Sequence, residues 1–239
     1  MRLEPIGDAI WLAEGETVSF YGFPYPTRSV IIRLEHHKLW IWSPIALTPE
    51  LREEVEALGT VAHLVSPNKL HHLYLQDWKA AFPNACLWGP QSTIEKRRDL
   101  AFQPALKDEP PSEWAATIDQ VWWRGSPFLD EIEFFHKPSS TAIVADMSQN
   151  FGSAFLREHW AWWQRPLAAL AGMIEGKGYG PLELRLTLMD RQIAREALGK
   201  MLAWDPRRVV MAHGVWQREN GRQYLQSAFN WLMPSSSRA

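Results

Sequence analysis

Histidines and acids recur in this chain where apolar, strand-like runs end. His71 and His72 follow the run at 61–65, His136 closes 132–135, Asp146 follows 141–145, and His213 follows 209–212. Sheets flanked by helices collect their functional side chains in the loops after the carboxyl ends of strands. Imidazoles and a carboxylate gathered there form the ligand set that suits zinc or another borderline divalent cation. A lone histidine at a strand end is ordinarily a hydrogen-bonded loop residue. Strand ends carrying His, Asp and His, with a His pair nearby, are less easily explained that way.

Alternating strand and helix signals must position these groups. Residues 29–34 and 38–43 are β-branched and aromatic runs separated by Glu35-His36-His37, which reads as a β-hairpin. Thr48-Pro49 opens a helix that Gly59 stops, because the hydroxyl caps free N–H groups and proline suits the first turn. A buried strand at 61–65 leads to a helix bearing Leu73, Leu75 and Trp78, followed by a short strand that ends at Gly89-Pro90. Residues 103–114, rich in proline and charge, read as an exposed connection. Strands are expected at 118–123, 131–136, 141–145 and 208–212. A helix is expected around 155–174, another is capped by Asp190, and a terminal one ends near Trp231. The order points to a single α/β domain over 1–233 with a frayed tail at 234–239.

Composition removes several function classes. Lys and Arg number 25 against 27 Asp and Glu, a net charge of −2, so the chain carries no basic footprint for nucleic acid. A single cysteine, Cys86, excludes an internal disulfide and a four-cysteine zinc site. No basic, apolar leader opens the chain, and the longest apolar run is about half what a bilayer needs. A cytoplasmic location without membrane association is the expectation. There is no Gly-x-Ser-x-Gly elbow and no His-Glu-x-x-His. The Gly176-Lys177-Gly178-Tyr179-Gly180 segment lacks both the spacing and the preceding strand of a phosphate loop. Fourteen tryptophans are unusual. Most read as packing mass, with Trp42 and Trp216 the two expected to face a site.

Several segments together resemble the metallo-β-lactamase superfamily, and more closely an uncharacterised bacterial family of that fold with degenerate metal-binding motifs. They are Ile6-Gly7-Asp8-Ala9-Ile10-Trp11, Trp42-Ser43-Pro44-Ile45, Ser66-Pro67-Asn68-Lys69-Leu70-His71-His72, His136-Lys137-Pro138-Ser139-Ser140-Thr141 leading to Asp146, and His213-Gly214. The resemblance implies a four-layer αββα sandwich. It places the superfamily's His-x-His-x-Asp-His loop on Ser66-x-Asn68-x-Leu70-His71, where only His71 is kept. A shift by one residue would set His71-His72 on the Asp-His pair instead. The Asp-Thr-Gly turn becomes Ser43-Pro44-Ile45.

What the resemblance implies is one divalent metal (zinc, iron or manganese) held by His71, Asp146 and His213. Asp146 also counts as catalytic, and His136 serves as a further ligand or acid. Trp42, Asn68, His72 and Trp216 are expected around a substrate pocket. The implied activity is hydrolysis of a small ester, lactone or phosphoester. A metal-free binding or interaction protein that retained the fold is the alternative, in which Asp146 hydrogen-bonds His213 or His136. A small-molecule substrate and a homodimer complete the expectations.

Overall fold

The computed structural model describes residues 3–233, so the tail expected at 234–239 lies outside the described residues. The chain opens with β1 (Glu4–Gly7) and β2 (Ile10–Glu14), then a separate hairpin of β3 (Val18–Phe20) and β4 (Phe23–Tyr25). β5 (Arg28–Arg33) and β6 (Lys38–Trp42) pair antiparallel, as the residue pattern predicts. Next come α1 (Pro49–Leu58), β7 (Thr60–Val65), α2 (Leu75–Ala81), β8 (Cys86–Trp88) and α3 (Gln91–Lys96). The second half holds β9 (Ile118–Trp123), β10 (Glu131–His136) and β11 (Thr141–Val144). It continues through α4 (Ser153–His159), α5 (Arg165–Ala171), α6 (Leu182–Leu186), α7 (Arg191–Ala203), β12 (Arg208–Met211) and α8 (Gly221–Ala228).

Two sheets result, ordered β1-β2-β5-β6-β7-β8 and β12-β11-β10-β9. Alternation along the first sheet decides its two faces. Val30, Ile32, Trp40, Trp42, Val65 and Trp88 turn inward and join one core with Phe134, Ile143 and Val210. Ile31, Leu39, Ile41, Leu64 and Leu87 turn outward to meet Leu51, Val55, Leu75 and Trp78 of α1 and α2. On the far side α7 packs against β9 and α8 against β12. The architecture is a four-layer αββα sandwich. Thr48 Oγ1 accepts the Leu51 N–H at 3.2 Å and Asp190 caps α7, so both predicted helix starts are real caps.

Two expectations need correction. The helix expected around 155–174 is broken into α4 and α5 at residues 160–164, where the Trp160 backbone turns extended (φ −94°, ψ 135°) and its indole N–H reaches Pro24 O at 2.7 Å. The 103–114 segment is not simply an exposed connection. Leu106 and Trp114 are buried, and the Trp114 ring packs edge-on against Trp88 at 4.9 Å and Trp40 at 6.2 Å. Proline and charge set the backbone of that segment, while its two apolar side chains plug the core. Among the described residues no helix is long and apolar enough to cross a membrane.

Candidate metal centre

Strand direction assembles the centre. β6 and β7 run parallel in one sheet, and β11 and β12 run parallel in the other. Their carboxyl ends lie at the same end of the sandwich and deliver Ser43, the 66–72 loop, Asp146 and His213. The strands antiparallel to them, β5 and β10, bring their first residues, Arg28 and Glu131, to that same end.

His71, Asp146 and His213 converge, with one ligand atom from each lying within 4.8 Å of the others. His71 Nε2 is 3.1 Å from Asp146 Oδ2, and His213 Nε2 is 3.5 Å from Asp146 Oδ1. The outer ring nitrogens are both engaged: His213 Nδ1 meets Pro26 O at 2.7 Å, and His71 Nδ1 meets Ser43 Oγ at 2.7 Å. A carbonyl oxygen can only accept, so His213 Nδ1 carries the proton and donates it. In the neutral ring, Nε2 then aims a lone pair at a carboxylate oxygen. Acceptor faces acceptor, an arrangement that a cation between them resolves.

Asp146 is buried and also accepts Asn68 Nδ2 at 2.8 Å and Gln149 Nε2 at 3.1 Å. Burial works to raise its pKa. Were the His71 and His213 rings protonated, their charge and hydrogen bonds would outweigh that and hold it well below the usual carboxylate range. Asn68 sits deeper and is not on the cavity wall. Its Nδ2 spans Asp146 and Glu131 (2.6 Å to Glu131 Oε2), while its Oδ1 accepts the Leu70 N–H. Glu131 braces the turn after β11. Oε1 accepts the Ala145 N–H at 2.8 Å and the Met147 N–H at 3.3 Å, and Oε2 accepts the Asp146 N–H at 2.9 Å. Burial first, and then the Asp146 charge, push the Glu131 pKa upward.

A cavity of about 670 Å³ opens over the triad. Tyr25, Arg28, Ser43, His71, Asp146, Gln149 and His213 line it beside Leu70, His72 and Phe128. The Tyr25 ring stands edge-on to His213 at 5.0 Å. Burial first, and then the Asp146 and Glu183 charges, raise the Tyr25 hydroxyl, which keeps its proton. Burial, Lys96 and Arg97 depress His72 to about 4, so this cavity residue is neutral near pH 7.

Besides Asn68, three predicted residues are placed elsewhere or differently. His136 ends β10, but β10 runs antiparallel to β11, and His136 pairs with Thr141 at the opposite end of the strand from Asp146. It is fully buried, with Nδ1 on Ser139 Oγ at 2.7 Å, and takes no part in the centre. Trp216 is carried away because the chain reverses after His213, pairing Gln217 with Val209 antiparallel. Trp216 instead lies under Arg218, at 4.3 Å from the ring centroid, in a separate cleft with Arg207 and Arg208. Trp42 is fully buried, and rather than lining the cavity its ring stacks behind His71 at 6.0 Å.

His136 has a consequence of its own. Burial depresses it to about 4, and it does the same to His63 of β7, whose Nδ1 accepts the Trp88 indole N–H at 3.1 Å. Their unfolded pKa values lie near 6.5. Folding therefore favours the neutral rings, a stabilisation complete above pH 6.5 and lost as pH falls toward 4. We expect urea midpoints to drop between pH 7 and pH 5, corresponding to about 2–4 kcal/mol for the two rings together. A flat profile would show that neither ring is held neutral by its burial.

A family model described as "Domain of unknown function (DUF4336)" matches residues 7–153, more than half of the 239 residues. The chain belongs to the DUF4336 family. Among curated proteins none matches it significantly. Solved structures of metallo-β-lactamases share the fold of this DUF4336 chain at low identity. The enzyme from Erythrobacter litoralis, solved with β-mercaptoethanol in its active site, is 12% identical with a TM-score of 0.63, covering 96% of this chain and 95% of that one. The Pontibacter korlensis protein is 10% identical with a TM-score of 0.63, over 97% and 98%. The one from Hirschia baltica is 12% identical with a TM-score of 0.62, over 98% of each chain.

Residue spacing gave little warning of Tyr25, Ser43, Gln149 and Glu131 in the DUF4336 chain. Ser43 offers one retrospective signal, a φ of 48° in the left-handed region, where strained residues gather at functional sites. Gly214 was the more readable case. Its φ is 102°, and a Cβ there would meet Asn150 O at 2.1 Å, so the turn after His213 requires glycine.

Proposed function

We propose that this protein is a metal-dependent hydrolase with a reduced, single-metal form of the metallo-β-lactamase centre, acting on a small ester, lactone or phosphoester. The observation that carries the reading is the His213 geometry. Its Nδ1–H is committed to Pro26 O, so in the neutral ring Nε2 offers a lone pair, and that atom, the Asp146 carboxylate and His71 Nε2 converge on one point. Three protein ligands with room beside them on a cavity wall is the arrangement of a catalytic rather than a structural metal. Zinc, iron and manganese all suit two imidazoles and a carboxylate. A divalent ion held there supplies a Lewis acid that polarises a carbonyl or phosphoryl oxygen and eases the deprotonation of water.

The chain's own groups do the rest. Pro26 O fixes the His213 ring, Ser43 orients His71, and Asn68 with Glu131 holds Asp146 in place. Tyr25 keeps its O–H, makes no hydrogen bond among the described residues, and lines the cavity, so it serves as a donor to a substrate oxygen.

A second reading rests on one chain of distances. Ser43 Oγ, His71 and Asp146 stand in the order of nucleophile, base and carboxylate, at 2.7 Å and 3.1 Å. In it Ser43 Oγ attacks the ester carbonyl carbon while His71 takes its proton and passes it to the departing alcohol, water then hydrolyses the Ser43 ester, and no metal is needed. The first reading is favoured because the second assigns no task to His213.

Elemental analysis of protein purified without added metal separates them, with about one zinc, iron or manganese per chain expected. Absence of metal, with thermal stability unchanged by chelator, would overturn the metal reading. Labelling of Ser43 by a fluorophosphonate in that metal-free protein would then support the serine reading.

A further inference from the structure

Charge around the cavity is unevenly matched. Arg28 on its wall is already engaged, with Glu14 at 2.7 Å and with Met211 O. Arg97, next to the wall, is tied to Asp99 at 2.6 Å and to His72 O at 3.0 Å. Lys69 and Lys96 also line the cavity, and neither makes an ion pair or hydrogen bond among the described residues. They approach from different elements, Lys69 from the loop after β7 and Lys96 from the last turn of α3.

The two ammonium groups act on one another. Partial burial first, and then the Lys69 charge, lower the pKa of Lys96, and no carboxylate opposes this. Two like charges on one wall without a counter-charge beside them cost free energy that an anion bound by both would return. The frame beneath them is fixed. Asn68 is pinned to Glu131, Asp146 and the Leu70 N–H, and Ser66 Oγ donates to Asn68 O at 2.8 Å and to His71 O at 2.9 Å. The apolar part of the wall includes Leu70, Leu73 and Phe128, with Leu73 and Phe128 exposed, while the Asp146 and Glu183 carboxylates line the same cavity.

We propose that Lys69 and Lys96 form an anion subsite in the cavity, which takes the carboxylate or phosphate of a substrate whose body is apolar. The inference rests on the hydrolase reading only for what then happens to the substrate at the His71–Asp146–His213 centre. The subsite selects by charge, and the apolar wall seats the rest of the molecule.

The test uses three probes of similar apolar body, namely phenyl phosphate, 3-phenylpropionate and the neutral 3-phenylpropanol. Each is titrated calorimetrically into the full chain, as purified and again after chelator dialysis, because anions also ligate metals. At least one anionic probe should bind about tenfold or more tighter than the alcohol in both preparations. Which of the two does so tells phosphate from carboxylate. The double variant Lys69→Gln/Lys96→Gln should lose that preference, keep its affinity for the alcohol, and unfold at the wild-type temperature. Lys69→Arg/Lys96→Arg should retain the preference. If neither anion outbinds the alcohol, or the Gln variant keeps the preference, the subsite is refuted. Metal content measured on the same wild-type sample reports separately on the hydrolase reading, so either idea can fail alone.

Discussion

Asp146→Asn protein should emerge from purification with almost no bound metal where the wild type carries about one ion per chain. The change keeps the shape and removes the charge. One carboxylate oxygen becomes an amide NH₂, and both existing oxygens are committed: Oδ2 to Asn68 Nδ2 and His71, Oδ1 to Gln149 Nε2 and His213. An NH₂ on the Oδ2 side would oppose the Asn68 amide, and on the Oδ1 side the Gln149 amide. The surviving oxygen is a neutral ligand where an anionic one stood.

Disturbing groups that merely orient a metal ligand already costs about 10–100-fold in affinity, so losing the anionic ligand should cost at least about 100-fold. Hydrolysis should disappear with the metal. Stability should fall by about 1–3 kcal/mol, because the buried donors that faced the carboxylate lose part of their partner. Elemental analysis and thermal unfolding with and without chelator make the measurement. Wild-type metal stoichiometry in the variant would remove Asp146 from the ligand set and end the single-metal reading.

The contrast between Asp146 and His136 shows what could be read before the fold was seen. Both follow apolar strand-like runs, and the rule that sites gather at carboxyl ends of strands treats them alike. The rule holds for β6, β7, β11 and β12, which run parallel in pairs, and it delivers His71, Asp146 and His213. It fails for β10, whose antiparallel pairing sends His136 to the other end. Nothing in residues 131–136 encodes direction, because direction is set by the four-residue turn 137–140 and the partner it allows.

The same pairing exposes what was missed. An antiparallel strand contributes its first residue to the site, so Glu131 and Arg28 appear there while reading as ordinary strand starts. The helix caps at Thr48 and Asp190 and the alternation of Trp40 and Trp42 were legible because they depend on local geometry and on the two-residue strand period. Trp216 was not, since its placement depends on the chain folding back along β12.

Glu131 supplies the second large effect. Its carboxylate lies fully inside the protein and accepts three consecutive backbone N–H groups, from Ala145, Asp146 and Met147, together with Asn68 Nδ2. The turn that presents Asp146 therefore has no internal partner for those donors, and a side chain sixty-three positions from Asn68 provides one. Glu131→Ala leaves the three backbone N–H groups unpaired, leaves Asn68 Nδ2 with Asp146 alone and opens a void, so it should destabilise the fold by about 3–5 kcal/mol. Glu131→Gln is the sharper test. Oε1 accepts Ala145 and Met147 while Oε2 accepts Asp146 and Asn68, so an amide NH₂ on either side confronts a donor.

We expect Gln to rescue little of the stability despite matching the shape, and to weaken metal affinity about 10–100-fold, because Asp146 loses its bracing. Urea unfolding and metal titration of the two variants report these quantities independently. Near wild-type behaviour of Glu131→Gln in both would mean that the turn after β11 holds Asp146 without a buried negative charge.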